Sequence, residues 1–552
     1  MKNTFLFLLL FPFVITSAQK SKKEEKQILA NLQKHIQYLA SDSLEGRRVG
    51  TPGEKLAMTY ISSEFKKLGL SPKGSTDFYQ GFEINEGKQI NSGTHLTVGG
   101  QSLLLHTHYI PLSFSPNISL EALPSMSIQE VQMPWFLDLK ETLEAATTNP
   151  HFDIYTFLKN KATEAKPKGA TALFIYNSSS IRDGIEFKGR DGAALSSIPV
   201  VYLTPESVKK YFNDAEATLD LKLKIDIGAK KRLGNNVIGY LDNKAPTTVV
   251  IGAHFDHLGY GEDGNSLSVA KPAQIHNGAD DNASGVAAII ELARLFKESG
   301  LNGNNYLFIA FSGEELGLLG SKYFVQNATI DLKQVSYMIN LDMIGRVNEN
   351  NGLISVGGFG TSPVWATAYS STGKKGVNHA SLTFKFDSSG SGPSDHTSFY
   401  QQGIPVLFYF SGVHSDYHKP SDDADKINYN GELNVMKHIY SLVEWQIKNK
   451  PQVAFTKTRE TGMQGTASFN VTLGIMPDYS YDGTGLRVDG VIDDRPAQRA
   501  GLKTGDIIMQ LGAHSTSSME NYMKALGAFK KGDKTTVQVM RGKEIKSFPM
   551  EF

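Results

Sequence analysis

Residues that commonly ligate metals stand at the ends of three apolar runs in the sequence. The runs span residues 249–253, 306–311 and 335–341. His254 and Asp342 directly follow the first and third runs, and Glu315 follows the second after a short polar turn. The chain contains no cysteine, so only the nitrogen and oxygen atoms of His, Asp and Glu could hold a metal ion.

Two more segments complete a set of five candidate metal ligands. Asp281 lies in the Gly278–Gly285 segment between the first two runs, and His418 lies in the Tyr417–Asp422 segment. Two imidazoles and three carboxylates would hold two ions if one carboxylate bridged them. This ligand chemistry suits zinc and would also accept cobalt or manganese. Two ions about 3.5–4 Å apart would lower the pKa of a bridging water and stabilise a tetrahedral intermediate.

Two acidic residues beside these ligands are the candidate catalytic groups. Glu314 precedes Glu315 at the predicted turn from strand to helix, where it could act as general base and general acid. Asp256 follows His254 by two residues. Its side chain could therefore orient that imidazole, or a neighbouring ligand, without binding the ion itself.

Several of these residues could have a different role. His257 could be a packing residue or a cleft wall instead of a ligand, and Asp280 could bridge the ions in place of Asp281. Glu314 and Glu315 could be the acidic first turn of an ordinary helix, where carboxylates favour the helix dipole. Three further histidines are candidate ligands by residue type alone: His276, His396 and His414.

The elements that must position these residues belong to an α/β fold. Short apolar runs that alternate with amphipathic helices indicate a mixed, mainly parallel sheet flanked by helices. Such sheets bind ligands at the carboxyl ends of their strands, where the candidate ligands stand. Helices are predicted over residues 24–39, 54–68, 283–296 and 432–445 and from Glu314 through Tyr323, and further strands over residues 173–176, 198–203, 353–356 and 405–409.

Length and charge limit the classes of protein that the sequence can encode. A chain of 552 residues predicts two to four domains. Its 56 basic and 56 acidic residues give no net charge, which offers no electrostatic case for nucleic acid or an anionic membrane surface. The basic Lys2, the apolar residues 5–15 and the small residues 16–18 predict a signal peptide over residues 1–18. An uncleaved anchor would require a longer apolar run, so we expect a protein that is periplasmic or secreted, with no membrane span.

Six segments around the candidate ligands resemble the co-catalytic zinc exopeptidases that include bacterial leucyl aminopeptidases, aminopeptidase Y and glutamate carboxypeptidase. These segments are His254-Phe255-Asp256, Gly278–Gly285, Phe311–Gly317, Asn340–Met343, Ser394-Asp395-His396 and Tyr417–Pro420. The resemblance implies that one zinc ion binds His254, Asp281 and Asp342. It implies that a second zinc ion shares Asp281 and binds Glu315 and His418, with Glu314 as the family's general base.

The resemblance also suggests a domain order. The N-terminal helices of the peptidase domain are predicted at residues 19–91 and the zinc peptidase core at residues 235–450. An inserted, mainly β domain similar to protease-associated domains is predicted at residues 92–234, unless this region is part of one continuous domain with long loops. Residues 460–552 look like a PDZ domain, a small β/α fold. Its Leu473–Met476 loop would capture a peptide C-terminus by strand addition.

The expected function is that of a two-zinc aminopeptidase. A metal-bound hydroxide, activated by Glu314, would hydrolyse the N-terminal residue from peptides with a free N-terminus. The rival functions are those of a carboxypeptidase or glutaminyl cyclase on the same fold, or of an inactive peptide-binding protein. The sequence departs from the family in a long, glycine-rich insert after Asp256, around residues 259–278, which we expect to form a lid or reshape the substrate pocket.

Overall fold

The computed structural model describes residues 11–147, 152–189, 194–268, 272–372, 382–458, 471–477, 484–491, 495–517 and 519–552. The chain divides into two compact units. One unit comprises Met1–Phe82 and Leu233–Phe552, and the other comprises Glu83–Arg232. The predicted limits of the inserted domain, residues 92–234, stay a prediction.

The described residues form helices and strands with the following bounds. The helices are α1 (Phe11–Leu39), α2 (Pro52–Lys67), α3 (Lys140–Ala146), α4 (Ile154–Ala165), α5 (Pro205–Tyr211), α6 (Gly285–Glu298), α7 (Leu319–Gln326), α8 (Val364–Thr372), α9 (His396–Tyr400), α10 (Tyr429–Asn449), α11 (Pro496–Ala500) and α12 (Met519–Gly527). The strands are β1 (Ser71–Pro72), β2 (Tyr79–Ile90), β3 (His95–Val98), β4 (Gln101–Ser102), β5 (Tyr109–Pro111), β6 (Ile118–Ala122), β7 (Trp135–Asp138), β8 (Leu173–Tyr176), β9 (Val200–Leu203), β10 (Leu221–Ile225), β11 (Ile227–Leu241), β12 (Thr248–His254), β13 (Asn305–Phe311), β14 (Val335–Leu341), β15 (Leu353–Gly357), β16 (Thr383–Phe386), β17 (Val406–Phe410), β18 (Ile475–Pro477), β19 (Leu486–Val491), β20 (Ile507–Leu511), β21 (His514–Ser515), β22 (Lys534–Arg541) and β23 (Glu544–Glu551).

A large mixed sheet organises the first unit. Its strand order is β1-β11-β13-β12-β14-β17-β15-β16, with β2 pairing to β11 beside this path. The four central strands, β13, β12, β14 and β17, pair in parallel. Antiparallel strands flank them, β11 beside β13 and β15 beside β17. The predicted mixed, mainly parallel sheet flanked by helices is confirmed.

Both faces of the central strands are buried, which explains their unbroken apolar sequences. All residues of β12 are buried, and successive side chains point to opposite faces. Val249 and Ile251 belong to a core cluster that also contains residues of α1, α2, α6, α8 and α10. Val250 belongs to the opposite cluster with Phe324 of α7 and Phe399 of α9. Helices on the two faces thus hold the parallel strands, and their carboxyl ends, in fixed register.

The second unit consists mainly of strands and has its own cores. One sheet has the order β4-β3-β10-β6, and another has the order β5-β9-β8-β7. Leu158 of α4 packs with Ile175 and Val200 in one core cluster. The predicted strand at residues 173–176 is β8, and the one predicted at residues 198–203 becomes β9. The likeness of this region to a protease-associated domain stays a prediction.

The last part of the chain forms a small sheet with two helices among its described residues. The strand order is β18-β19-β20-β22-β23, with β21 pairing to β20. Val488, Ile508 and Val539 are fully buried in its core. The last two residues of the predicted peptide-binding loop, Leu473–Met476, belong to β18.

One helix prediction near the candidate ligands is wrong. A helix was expected to begin at Glu314, but α7 begins at Leu319. Gly313, Gly317 and Leu318 have φ angles of +68°, +100° and +63°, and such left-handed backbone cannot continue an α-helix. Glu314 and Glu315 therefore lie in a turn, and the interpretation of these two acids as an ordinary helix first turn is excluded.

The structure describes only part of the predicted signal peptide, residues 1–18. Residues 1–10 of that segment lie outside the described residues. Helix α1 begins at Phe11, ahead of the predicted helix start at Glu24, and ends at Leu39. Within the described residues, no helix is both long enough and apolar enough to cross a membrane.

Candidate metal centre

The five candidate ligands converge at the carboxyl edge of the sheet. His254 is the last residue of β12, and Asp342 follows the last residue of β14. Glu315 lies in the turn after β13, and Asp281 lies in the Ala279–Ser284 segment that precedes α6. His418 comes from the loop between β17 and α10. Because β12, β13 and β14 are adjacent and parallel, their carboxyl ends deliver three of the five ligands to one place.

The side chains form two groups that share Asp281. In the first half-site, His254 Nε2 lies 3.3 Å from Asp281 Oδ1 and 3.3 Å from Asp342 Oδ1. In the second half-site, His418 Nε2 lies 3.3 Å from Asp281 Oδ2 and 3.2 Å from Glu315 Oε2. Each oxygen of Asp281 therefore faces a different half-site, as the bridging carboxylate of a two-ion centre must.

The spacing of these atoms fits zinc. Zinc–nitrogen and zinc–oxygen distances of about 2.0–2.2 Å in a tetrahedral site place two ligand atoms about 3.3–3.5 Å apart. The four nitrogen–oxygen separations are 3.2–3.3 Å, longer than a usual charge-assisted hydrogen bond. The donor set and its spacing therefore suit one zinc ion in each half-site.

The tautomers of the two imidazoles fit the same interpretation. His254 Nδ1 lies 3.2 Å from the Asp256 carbonyl oxygen, and His418 Nδ1 lies 3.0 Å from the Asn265 carbonyl oxygen. A carbonyl oxygen can only accept a hydrogen bond, so Nδ1 carries the proton in both rings. In the neutral ring, which is the form that binds a metal, each Nε2 then has a free lone pair directed at the carboxylates.

His257 also belongs to this cluster, in a different way. Its ligand atom, with those of Asp281 and Glu315, falls within the span of one metal site. However, His257 Nδ1 lies 2.8 Å from Glu315 Oε1, a hydrogen-bond distance, and 3.8 Å from Asp281 Oδ2. The imidazole thus donates to the Glu315 oxygen that does not face His418. This geometry favours His257 as a residue that holds Glu315, and His418 as the ligand.

Asp280 and the three further candidate histidines lie apart from the two half-sites. Asp280 Oδ1 accepts hydrogen bonds from Ser284 Oγ and the Gly345 amide, so this oxygen holds two protein groups in place. His414 Nε2 lies 3.2 Å from Asp280 Oδ2. The ring of His276 lies 2.7 Å from Ser266 Oγ. His396 stacks on Phe408, and burial lowers its pKa to about 3.

The carboxylate ligands are held by further hydrogen bonds. Ser394 Oγ donates to Asp342 Oδ2 over 2.8 Å, which leaves Asp342 Oδ1 facing His254. The Asp281 amide donates to Asp422 Oδ2 over 3.0 Å. Such partners fix the orientation of metal ligands and are part of a functional metal site.

Glu314 lies at the first half-site with its carboxylate 4.0 Å from His254 Nε2. Its amide donates to Asp256 Oδ1 over 3.2 Å. Burial raises the pKa of Glu314 well above its usual value; the neighbouring charge of His254 opposes this rise, and the carboxylates of Asp342 and Asp395 reinforce it. A carboxyl group with a raised pKa beside a metal site suits acid–base chemistry.

The carboxylate of Asp256 lies close to the first half-site. Its side chain was expected to orient His254 or a neighbouring ligand, and Oδ1 lies 3.8 Å from His254 Nδ1, beyond hydrogen-bond distance. The backbone carbonyl of Asp256 accepts the hydrogen bond of His254 Nδ1, and the Asp256 carboxylate accepts a hydrogen bond from the amide of Glu314, beside the candidate ligand Glu315. Burial raises the pKa of Asp256 to about 8.

Sequence reasoning missed one residue that organises the loops around the centre. Arg47 is completely buried and donates to the carbonyl oxygens of Phe255 and Gly278 over 2.7 and 2.9 Å. It also donates to the carbonyls of Leu39 and Asn277. Burial lowers the pKa of Arg47 to about 10, although nearby carboxylates, Asp281 first among them, act against this decrease.

Comparison with known proteins identifies two segments of the chain. Residues 236–443 match the model of peptidase family M28, and residues 460–551 match the PDZ domain model. Aminopeptidase YwaD of Bacillus subtilis (strain 168) is 28% identical over 430 residues, which cover 74% of this chain and 84% of that protein. Leucine aminopeptidase 2 of Trichophyton rubrum is 22% identical over 495 residues, which cover 82% of this chain and 91% of that protein.

The solved structure of a zinc aminopeptidase from Bacillus subtilis aligns with 79% of this chain and 96% of its own, at 22% identity and a TM-score of 0.41. The M28 match covers all five candidate ligands and Glu314. Residues 236–443 are therefore similar to peptidase family M28, as the motifs indicated, and residues 460–551 are similar to PDZ domains.

Proposed function

We propose that this chain is an exported aminopeptidase that binds two zinc ions and removes the N-terminal residue from peptides. The observation that carries the proposal is the pair of half-sites that share Asp281, with Glu314 beside them. The names of relatives, Aminopeptidase YwaD and Leucine aminopeptidase 2, support the aminopeptidase class. The M28 match supports a metallopeptidase.

In this proposal, His254, Asp281 and Asp342 hold one ion, and Asp281, Glu315 and His418 hold the other. Zinc bound there would polarise the scissile carbonyl and lower the pKa of a water molecule. Cobalt or manganese could replace zinc, because both accept imidazole and carboxylate ligands.

The protein's own residues would then move the protons. Glu314 takes a proton from the attacking water on its carboxylate and passes it to the amine that leaves. Asp256 keeps Glu314 in place through the amide hydrogen bond. Buried surroundings, which raise the pKa of Glu314, suit a group that must both accept and release a proton.

The remaining parts of the chain extend the proposal. The predicted signal peptide at residues 1–18 would export the enzyme to the periplasm or the medium. The inserted unit would be a protease-associated domain. The Leu473–Met476 loop of the PDZ domain would bind the C-terminus of a peptide.

The test is digestion of a mixed peptide library by the zinc-loaded protein, with each peptide present both free and Nα-acetylated. Mass spectrometry would follow the products. We expect stepwise loss of residues from free N-termini and no cleavage of the acetylated copies. Cleavage of both forms would contradict an aminopeptidase and indicate a carboxypeptidase or an endopeptidase. Cyclisation of N-terminal glutamine without peptide cleavage would indicate a glutaminyl cyclase.

The matched control is Glu314→Gln. This change keeps the size of the side chain and removes its capacity to accept a proton. We expect kcat to fall by roughly 10²- to 10⁴-fold, the usual contribution of a general base, with zinc content unchanged. Near-normal turnover by Glu314→Gln would disprove the assignment of Glu314.

A further inference from the structure

The glycine-rich insert after Asp256 is attached at its base to the N-terminal part of the chain. The Gly259 amide donates to the Gly46 carbonyl over 3.1 Å, and the His276 amide donates to the Gly259 carbonyl over 2.8 Å. Gly46 has a φ of +67°, and a Cβ there would lie 2.5 Å from the His276 carbonyl oxygen. A glycine is therefore required where the two segments meet.

A charged pair fixes the outer part of the same insert. Arg48 Nε and Nη2 donate to Asp263 Oδ2 and Oδ1 over 2.8 and 3.0 Å. The two side chains are only 15% and 5% exposed. A bidentate pair with so little exposure has a defined geometry and is stronger than an exposed ion pair.

Beyond Asp263, the insert reaches the second half-site. The Asn265 carbonyl accepts the hydrogen bond of His418 Nδ1 over 3.0 Å, and the Leu267 amide donates to the His418 carbonyl over 3.0 Å. Both the side chain and the backbone of His418 are thus held by one short stretch of the insert. His418 has a φ of +54°, a conformation that a histidine keeps only where its surroundings enforce it.

We propose that residues 263–267 are a brace that positions His418 for the second zinc ion, and that Arg48 and Asp263 are positioning residues which act through this brace. The inference rests on the proposed function and concerns its second half-site alone. The Arg48–Asp263 pair sets the path of the insert. The path places the Asn265 carbonyl on His418 Nδ1, and this contact directs Nε2 toward Asp281 and Glu315.

The brace gives a role to a segment in which this chain departs from the family pattern. The expectation from the sequence, a lid or a reshaped substrate pocket, stays a prediction. The contacts with His418 make the described part of the insert a support of the metal centre. Among the described residues of the insert, none contacts His254 or Asp342 through a hydrogen bond in this structure, so the brace serves one half-site and not the other.

The experiment is a zinc titration of the full chain against a chromogenic chelator, with wild type, Asp263→Ala and Glu262→Gln. Glu262 is the matched control. It is adjacent to Asp263, its carboxylate is 42% exposed, and it lies 3.8 Å from Arg48 Nε. For Asp263→Ala we expect the weaker of the two zinc affinities to fall about 10-fold, the lower end of the effect of losing a direct partner of a metal ligand, because Asp263 acts on His418 through the brace. The stronger affinity, and both affinities of Glu262→Gln, should stay unchanged.

Two results would overturn the brace. Unchanged affinities in Asp263→Ala would show that the pair does not position His418, and an equal fall in both affinities would show a general loss of structure. If Asp263→Ala does not fold, Arg48→Lys decides by the same criteria, because lysine keeps the charge but cannot make the bidentate contact. A wild-type protein that binds no zinc would refute the proposed function itself, whereas two wild-type ions with unaltered Asp263→Ala affinities would refute only the brace.

Discussion

The two half-sites share a carboxylate but rest on different kinds of backbone. His254 and Asp342 stand at the ends of β12 and β14, which pair with each other in the centre of the sheet. Glu315 lies in a turn with left-handed residues on both sides, and His418 lies in a loop at a φ of +54°. The first half-site thus inherits its geometry from the sheet, whereas the second must be held by contacts made for the purpose.

The partners of the two imidazoles show the same difference. The acceptor for His254 Nδ1 is the carbonyl of Asp256, two residues away, while the acceptor for His418 Nδ1 is the carbonyl of Asn265, 153 residues away. Sites built on strands are held more accurately than sites built on loops. We therefore expect the second half-site to bind zinc more weakly and to lose it first.

The largest expected effect comes from the residue that the half-sites share. Asp281→Ala removes one ligand from each half-site, so that each ion keeps only two protein ligands. We expect zinc content to fall toward zero and aminopeptidase activity to fall to background, as measured by elemental analysis and turnover of a free dipeptide. Retention of one tightly bound ion would show that the first half-site does not depend on the bridge.

The next prediction separates His418 from His257. His418→Ala should abolish the weaker zinc equivalent and leave the stronger one, because His418 is the only imidazole ligand proposed for the second half-site. His257→Ala should weaken the same equivalent by only about 10- to 100-fold, because it removes a partner of Glu315 and not a ligand. Isothermal titration with zinc measures both. The reverse ranking would make His257 the ligand and would contradict the assignment made from the distances.

A smaller effect, on the opposite half-site, is expected from Ser394→Ala. Its hydroxyl holds Asp342 Oδ2, so its loss should weaken the stronger zinc affinity by up to about 10-fold, the lower end of such effects. The backbone of β14 continues to place Asp342. Zinc titration of Ser394→Ala beside Asp263→Ala shows whether each support acts on its own half-site. A fall in the weaker zinc affinity of Ser394→Ala would contradict this separation.

Removal of a charged pair in the PDZ domain should have no effect on the metal centre. Arg541 makes two contacts of 2.7 Å with Asp506. Burial acts to raise the pKa of Asp506, but Arg541 and the Lys503 amide lower it below its usual value. A lowered pKa stabilises the folded domain at pH values above the ordinary Asp pKa of about 3.9, and this contribution is lost as pH falls through the lowered pKa.

Arg541→Ala should therefore cost about 1–2 kcal/mol of PDZ stability near neutral pH, and less as the pH approaches 3. Hydrogen-exchange mass spectrometry of β20 and β22, in the wild type and in Arg541→Ala at equal pH, measures the difference in stability. A difference that grows on acidification would contradict the expected sign. Zinc affinities should be those of the wild type.

The accuracy of the sequence predictions follows the same division between strands and loops. The apolar runs correctly predicted β12, β13 and β14, and with them the positions of the candidate ligands that follow. Strands buried on both faces have unbroken apolar sequences, which are easy to recognise. The prediction for the turn after β13 was wrong, since the left-handed backbone of Gly317 and Leu318 interrupts the helix that Glu314 was expected to start. His418 was marked by a family-like motif and not by any strand.

The supports of the second half-site could not be predicted from sequence. They join Arg48, Asp263 and His418, which are far apart in the chain, and the decisive acceptor is a backbone carbonyl at Asn265. Any residue offers such a carbonyl, so residue type carries no signal for it. Arg47 was missed for the same reason, because its partners are all backbone carbonyls.

The most direct test of the two half-sites is anomalous X-ray diffraction at the zinc edge from crystals of the zinc-loaded protein. We expect two peaks about 3.5–4 Å apart, one bound by His254 and Asp342, the other by Glu315 and His418, with Asp281 between them. At limiting zinc, the first peak should have the higher occupancy. A single peak, or a second ion bound by His257 in place of His418, would contradict the two half-sites proposed for this chain.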